Sequence, residues 1–145
     1  MSPSKRFINW TNASFTPAGG TVIPILGITQ CTIDRGVTYV MDSADADFYD
    51  SLAAAVGAKP KATIATNRPG ILDTVPVGVI GVFSIQRNDA INGGAAGGGA
   101  VIYSLTGVFD PATQAGAHHQ IGTGGGSFVG VSADGTTNPL SVAVV

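Results

Sequence analysis

The residues that could do chemistry in this sequence are few and do not converge. His118 and His119 are its only histidines, and neighbouring side chains on a strand point to opposite faces, so the pair is poorly placed to bind one metal ion. Asp45 and Asp47 are two residues apart in a predicted helix and diverge. Cys31 lies among strand-forming residues, which favours a buried thiol over a nucleophile. We therefore predict no catalytic residues, no metal site, no cofactor and no enzyme activity.

Five of the 21 glycines fall within residues 93–99, in the stretch "INGGAAGGGAV" between two apolar runs. The stretch lacks the GxxxxGK[ST] pattern of a phosphate-binding loop, and it joins a strand to a strand rather than opening a helix. We expect residues 92–100 to form a pliable hairpin tip that lies against a neighbouring copy. The residues predicted to make this contact are Asn92, Gly93, Gly94, Gly97, Gly98 and Gly99.

The composition favours self-association over a solitary soluble monomer. Charged residues make up 11% of the 145 residues, against about 25% in average domains. Protein interfaces are depleted in Lys, Glu and Asp, whereas free monomers keep a charged surface. The seven Lys and Arg residues are scattered and the net charge is −2, so a basic nucleic-acid-binding surface is not expected.

The pattern of elements predicts one mainly β domain over residues 1–145, with residues 1–20 as an N-terminal arm. Seven to nine short strands rich in Val, Ile and Thr are separated by Gly and Pro turns, which is typical of an antiparallel β-sandwich or barrel. One helix is predicted over residues 44–56, in "DSADADFYDSLAAAVGAKP". Ser43 is its N-cap, an apolar stripe follows at helical spacing, and Gly57 ends it.

The clearest hairpin joins residues 79–87 to residues 100–109. Alternation places Phe83, Ile85, Tyr103 and Leu105 on one face, which we expect to enter the core. The opposite face carries smaller polar residues, namely Ser84, Gln86, Ser104 and Thr106.

Three segments resemble the major tail tube proteins of long-tailed bacteriophages. They are the opening "FINWTNASFTPAGGTVIPILGITQCTIDRG", the central "VPVGVIGVFSIQRNDA" and the closing "HHQIGTGGGSFVGVSADGTTNPLSV". The likeness is one of pattern over most of the chain. The early position of the predicted helix departs from shorter members of that family.

The resemblance implies a virion structural protein that forms hexameric rings, which stack helically into a tube. Strands from each copy would close an inner β-barrel through which DNA leaves the capsid. The lumen would be lined by Ser84, Gln86, Ser104 and Thr106, and the glycine-rich tip would reach a neighbouring ring. Tape-measure and tail terminator proteins are the implied partners, DNA passes only transiently, and assembly takes place in the host cytoplasm without a membrane.

Three other functions remain open from the sequence. A capsid decoration protein, which is a trimeric β domain on the outside of a phage head, would share the low charge and the glycine content. A small hydrolase or ligand-binding β-barrel would need convergent polar groups, and the sequence offers none. A secreted adhesin or pilin-like subunit is disfavoured because the N-terminal residues lack the apolar region of a signal peptide. The sequence has no run of about 18 apolar residues, so no membrane-spanning helix is predicted.

Overall fold

The computed structural model of the chain describes residues 6–42, 49, 51–91, 95–132 and 134–144. These residues form a mainly β structure, as predicted. The strands are β1 (Arg6–Pro17), β2 (Ile23–Pro24), β3 (Ile28–Asp34), β4 (Val37–Asp42), β5 (Ser51–Ala58), β6 (Lys61–Thr66), β7 (Gly81–Ile91), β8 (Ala95–Ala115), β9 (Thr123–Gly130) and β10 (Leu140–Val144). Within the described ranges, the only helical element is a 3₁₀ helix at Pro69–Thr74.

Eight strands form one antiparallel sheet, in which seven follow the order β2-β1-β7-β8-β9-β6-β3 and the eighth, β10, pairs with β8. The long strand β8 holds two partners on one edge, because β10 pairs with its residues 101–105 and β9 pairs with its residues 107–115. Most of the predicted N-terminal arm belongs to this sheet, since β1 pairs with β7 from Arg6 to Pro17.

The central hairpin confirms the predicted division of faces. In the register of β7 and β8, Phe83 lies opposite Leu105 and Ile85 lies opposite Tyr103. Phe83, Ile85 and Leu105 are at most 1% exposed, and Tyr103 packs against the edge of the core. Alternating residues of one strand point to opposite faces, so one face of the hairpin is core and the other is not.

The sheet curls on itself around Phe128 of β9. The Phe128 ring stacks on Phe83 at a centroid distance of 4.2 Å, and it contacts Phe15 at 5.3 Å and Phe109 at 5.0 Å. Phe15 belongs to β1, which is separated from β9 by two strands, β7 and β8, in the sheet order. The two strands meet only because the sheet bends, and the same bend brings β1 near β3. The result is a curled, sandwich-like domain.

Two glycines permit this close packing. At Gly126, an added Cβ would lie 2.5 Å from the Phe109 ring, and at Gly81 it would lie 2.6 Å from the Phe15 ring. Real Cβ atoms do not approach other atoms that closely. Glycine at both positions therefore lets aromatic rings lie directly on the backbone.

The predicted helix over residues 44–56 is wrong where the structure describes it. Ser51–Ala58 is β5, which pairs with β4 in a separate two-stranded sheet. The helical pattern was local, whereas β4 needs a ladder partner for its backbone groups, and β5 supplies it. Tertiary pairing here overrides the intrinsic preference of an alanine-rich segment. The proposed N-cap Ser43, together with Asp45 and Asp47, lies outside the described residues.

Substitution of Phe128 tests the aromatic core. We expect Phe128→Ala to lower the free energy of unfolding by about 3–5 kcal/mol, because it removes buried ring contacts and leaves a cavity. Urea denaturation followed by circular dichroism measures the change. Thr32→Ala, at an exposed position of β3, is the control and should change the stability by less than about 0.5 kcal/mol. Equal stability of Phe128→Ala and the wild type would contradict the central role of the ring.

Candidate functional site: an uncharged polar face and two open strand edges

The predicted lumen residues lie together on one surface, which we call the polar face. Ser84 is directly opposite Ser104, Gln86 is opposite Ile102, and Val82 is opposite Thr106. Residues directly opposite in an antiparallel pair share a face, so β1 and β10 extend it. Over residues 9–16, 82–88, 100–106 and 141–143, its members are Asn9, Thr11, Ser14, Thr16, Val82, Ser84, Gln86, Asn88, Ala100, Ile102, Ser104, Thr106, Ser141 and Ala143.

The polar face carries a chain of amide hydrogen bonds. Asn12 Nδ2 donates to Gln86 Oε1 at 3.0 Å, Gln86 Nε2 donates to Asn88 Oδ1 at 2.9 Å, and Asn88 Nδ2 donates to Thr11 Oγ1 at 2.9 Å. A bulge in β1 places Asn12 at a φ of 54°, a left-handed conformation that asparagine tolerates. Of the four residues, our sequence reasoning identified only Gln86. The polar alternation of "NWTN" was the available signal for the others.

The one charged residue in this part of the sheet points away from the polar face. Among residues 8–14, 82–88, 100–106 and 140–144, only Arg87 is charged. Its Nη1 donates to Tyr103 Oη at 2.8 Å, and its guanidinium carbon lies 5.7 Å from the centroid of the Tyr103 ring. The Trp10 ring lies 6.2 Å from Tyr103. The positive charge is thus held on the aromatic side, and the polar face is left uncharged.

Strand β10 has one open edge. The Thr106 amide donates to Pro139 O at 3.0 Å, which sets the hydrogen-bonding phase of the β8–β10 ladder. Because bonded and non-bonded pairs alternate in antiparallel ladders, Ser141 and Ala143 bond to β8. The amide and carbonyl groups of Leu140, Val142 and Val144 point to the other side, where none of the described strands pairs with them. The Leu140 amide donates instead to Asn138 Oδ1 at 3.0 Å, so the open donors of this edge are those of Val142 and Val144.

Strand β1 has a second open edge. On the side away from β7, Ser14 and Phe15 pair with β2, and Ala13 O accepts a hydrogen bond from the Ile25 amide at 2.8 Å. The first half of β1 therefore presents an unpaired edge within the described residues. Unpaired edges are templates for pairing with another strand.

The two open edges run in opposite directions. The four strands β1, β7, β8 and β10 are neighbours and each pair is antiparallel, so β10 runs antiparallel to β1. A second copy turned about an axis roughly along the strands can place its β1 beside β10 in antiparallel orientation. The chemistry available at this site is main-chain strand addition, with a neutral polar surface on one side.

The glycine-rich stretch is largely strand rather than loop. Pairing continues to Ile91 opposite Ala95, so the predicted loop over residues 92–100 is wrong for residues 95–100. Gly97, Gly98 and Gly99 lie in β8. Asn92, Gly93 and Gly94 lie outside the described residues, in the connection between β7 and β8. The ladder with β7 pairs Ala95, Ala96 and Ala100, and the three glycines fall in the register irregularity between Ala96 and Ala100.

The two histidines lie side by side, as neighbours in space as well as in the sequence. The His118 and His119 rings are 3.9 Å apart between centroids, in an exposed loop between β8 and β9. The described part of the chain contains no group of three or more His, Cys, Asp or Glu residues placed to hold a metal ion.

The pKa shifts of two other titratable groups have clear structural causes. Asp134 accepts hydrogen bonds from the Thr136 and Thr137 amides and from the Ser132 and Thr137 hydroxyls. These bonds, those of Thr137 first, hold the pKa of the carboxyl well below its usual range, and they shape the turn before β10. Cys31 is a buried free thiol, as predicted, and its burial raises the pKa of the thiol to about 12.

Comparison with known proteins leaves the function to be argued from the molecule itself. No family model matches the sequence, and a search of curated proteins finds no similar protein. In the described residues, no helix has the length and apolar character needed to cross a membrane.

The Cys31 thiol gives a pH-dependent prediction. Its pKa is raised from 9.0 to about 12 on folding, so the folded chain keeps a proton that the unfolded chain loses. The contribution is fully present below pH 9 and is lost as the pH rises from 9 towards 12, with a slope of at most about 1.4 kcal/mol per pH unit. Unfolding free energies of the wild type and Cys31→Ala, measured between pH 7 and 11, should converge as the pH rises. A constant difference would contradict the shift.

Proposed function

We propose that this protein is the structural subunit of a bacteriophage tail tube, in which hexameric rings stack around a channel for DNA. The observation that carries the proposal is the sheet β1-β7-β8-β10, with its uncharged polar face and its two complementary open edges. The resemblance of the sequence to tail tube proteins points to the same assembly.

Ring closure follows from the strand edges. Each copy offers one edge on β1 and one on β10, so the contact is heterologous, and rotation from copy to copy generates a ring. Pairing these edges all round the ring gives a closed barrel in which no strand edge stays exposed. The low charge of these edges removes electrostatic repulsion between copies.

The polar face lines the channel in this arrangement. The opposite face packs on the core of its own subunit through Phe83, Ile85 and Leu105, which are buried. A channel for DNA must not retain DNA, and binding to phosphates depends on Lys and Arg. Serine, threonine and amide side chains leave the phosphates unneutralised, so DNA passes without being held.

Ring stacking has two candidate contacts. One is the glycine-rich end of the β7–β8 hairpin. The other is the β4–β5 hairpin, where Val37, Tyr39 and Met41 are 42%, 53% and 56% exposed. Apolar side chains on a two-stranded projection indicate a surface that another copy covers. In the virion, the ends of the tube would meet the tape-measure and terminator proteins.

Electron microscopy of the purified protein tests the assembly directly. The proposal predicts tubes, or rings with six-fold symmetry, in negative stain. Particles with three-fold symmetry would favour a capsid decoration protein instead, and a monomer at high concentration would exclude both functions.

Proline at Val142 tests the open edge of β10. The Val142 amide points away from β8, so Val142→Pro removes a donor needed for pairing between copies and keeps the ladder to β8. We expect a folded subunit that forms no rings, by thermal melting and by electron microscopy.

Two variants serve as controls for this experiment. Val142→Ala keeps the amide and should assemble, although it shortens the side chain. Ala143→Pro removes a donor to β8 and should lower the melting temperature of the subunit itself. Normal tubes from Val142→Pro would contradict pairing through this edge.

Lysine on the polar face tests its exposure to the channel. Ser104→Lys places a positive charge on that face in each copy, so assembled tubes should retain short duplex DNA at low salt and release it at high salt. Thr32→Lys, at an exposed position of β3, is the matched control. Co-sedimentation of labelled DNA with tubes, with their outer surface saturated by unlabelled long DNA, measures retention. Equal retention by the two variants would place Ser104 outside the channel.

A further inference from the structure

The conformation of Ser51–Ala58 in the structure differs from the one that its sequence favours. The sequence pattern predicts a helix, whereas the structure has strand β5. We propose that this segment has two conformations, helical in the unassembled chain and extended in the assembled one, and that contact with a second copy selects the extended form.

The pairing of β4 with β5 has little support from neighbouring strands. The two strands form a sheet of their own, and their six residue pairs are interrupted by two register shifts. Among the residues that the structure describes, neither strand is hydrogen-bonded to a strand of the main sheet. An isolated two-stranded hairpin is at best marginally stable in water. The strand form of this segment therefore lacks the support that the other strands receive.

The composition of β5 favours the alternative form. Ala53, Ala54 and Ala55 stand in its centre, and alanine is the best helix former but is depleted in strands. Gly57 suits the end of a helix. Conflicts between local preference and the observed fold are expected at functional sites. Here the conflict is confined to one projecting element.

A backbone hydrogen bond closes the base of the hairpin. The Lys59 amide donates to Gly36 O at 2.9 Å. Gly36 has a φ of 56°, and a Cβ at this position would collide with Lys59 O. This contact holds the two ends of residues 37–58 together whichever form lies between them. The main sheet need not change when the segment does.

A second copy distinguishes the two forms through β4. In an extended strand, Val37, Tyr39 and Met41 point to one face, and all three are exposed. β5 holds β4 in this shape, and a helical segment would leave β4 without its ladder partner. A copy that covers this face binds only the hairpin form and so shifts the population towards it. This step rests on the proposed function, whereas the existence of two forms does not.

Alanine chemical shifts measure the two forms. In the dilute, unassembled chain, the ¹³Cα and ¹³Cβ shifts of Ala53, Ala54 and Ala55 should show a helical population. Solid-state spectra of the assembled protein should show extended shifts at the same residues. Extended shifts at every concentration would overturn the proposal, and so would helical shifts that persist after assembly. If the chain shows a helical population but forms no tube, the proposal of two conformations is supported and the proposed tail tube function is contradicted.

A pair of double variants separates conformational choice from simple destabilisation. Ala54→Val with Ala55→Val favours the strand and disfavours the helix, so it should lower the helical population about tenfold and lower the critical concentration for assembly. Ala54→Gly with Ala55→Gly weakens both forms and should not lower that concentration. Equal critical concentrations for the valine variant and the wild type would overturn the selection step.

Discussion

Phe128 touches three other phenylalanines from three different strands, and the curl of the sheet depends on these contacts. Rings of this size bury a large apolar area, and offset stacking adds to the gain. The glycines at positions 81 and 126 let the rings lie on the backbone. The cluster also fixes how far the core extends. Beyond it, β1, β7, β8 and β10 continue as a sheet with one packed and one polar face.

The uncharged face and the open edges are linked through this arrangement. Because one face of β7 and β8 packs into the core, only the opposite face of this hairpin is available to contact solvent or another molecule. The side chain of Arg87 does not add a positive charge to that face, because alternation along β7 places it on the opposite face, where it bonds to Tyr103. The amide chain from Asn12 to Thr11 then ties β1 to β7 without charge, next to the edge that β1 leaves unpaired.

The sequence predicted the parts of the fold that depend on short-range alternation. The faces of Phe83, Ile85, Ser84 and Ser104 followed from the two-residue period of a strand, which tertiary contacts rarely alter. The amide chain was not predicted, because it depends on the register of β1 against β7 and on a bulge. The open edges depend on strand order, which no local pattern contains.

The two errors over the helix and the glycine stretch have one cause. Alanine and glycine have weak side-chain preferences for a sheet, so propensity assigned residues 51–58 to a helix and residues 95–100 to a loop. In both places a neighbouring strand provides backbone partners for part of the segment. Long-range pairing decides such segments, and their composition alone does not reveal it.

The even number of strands between the two open edges has a consequence for directionality. In the proposed assembly, antiparallel joining through those edges would keep all copies of a ring pointing the same way, with no copy inverted. A stack of such rings would be a polar filament whose two ends differ, one lying at the ends of β7 and the other at its starts. Growth and capping at those ends would then be chemically distinct events, so that one cap protein could recognise a single end.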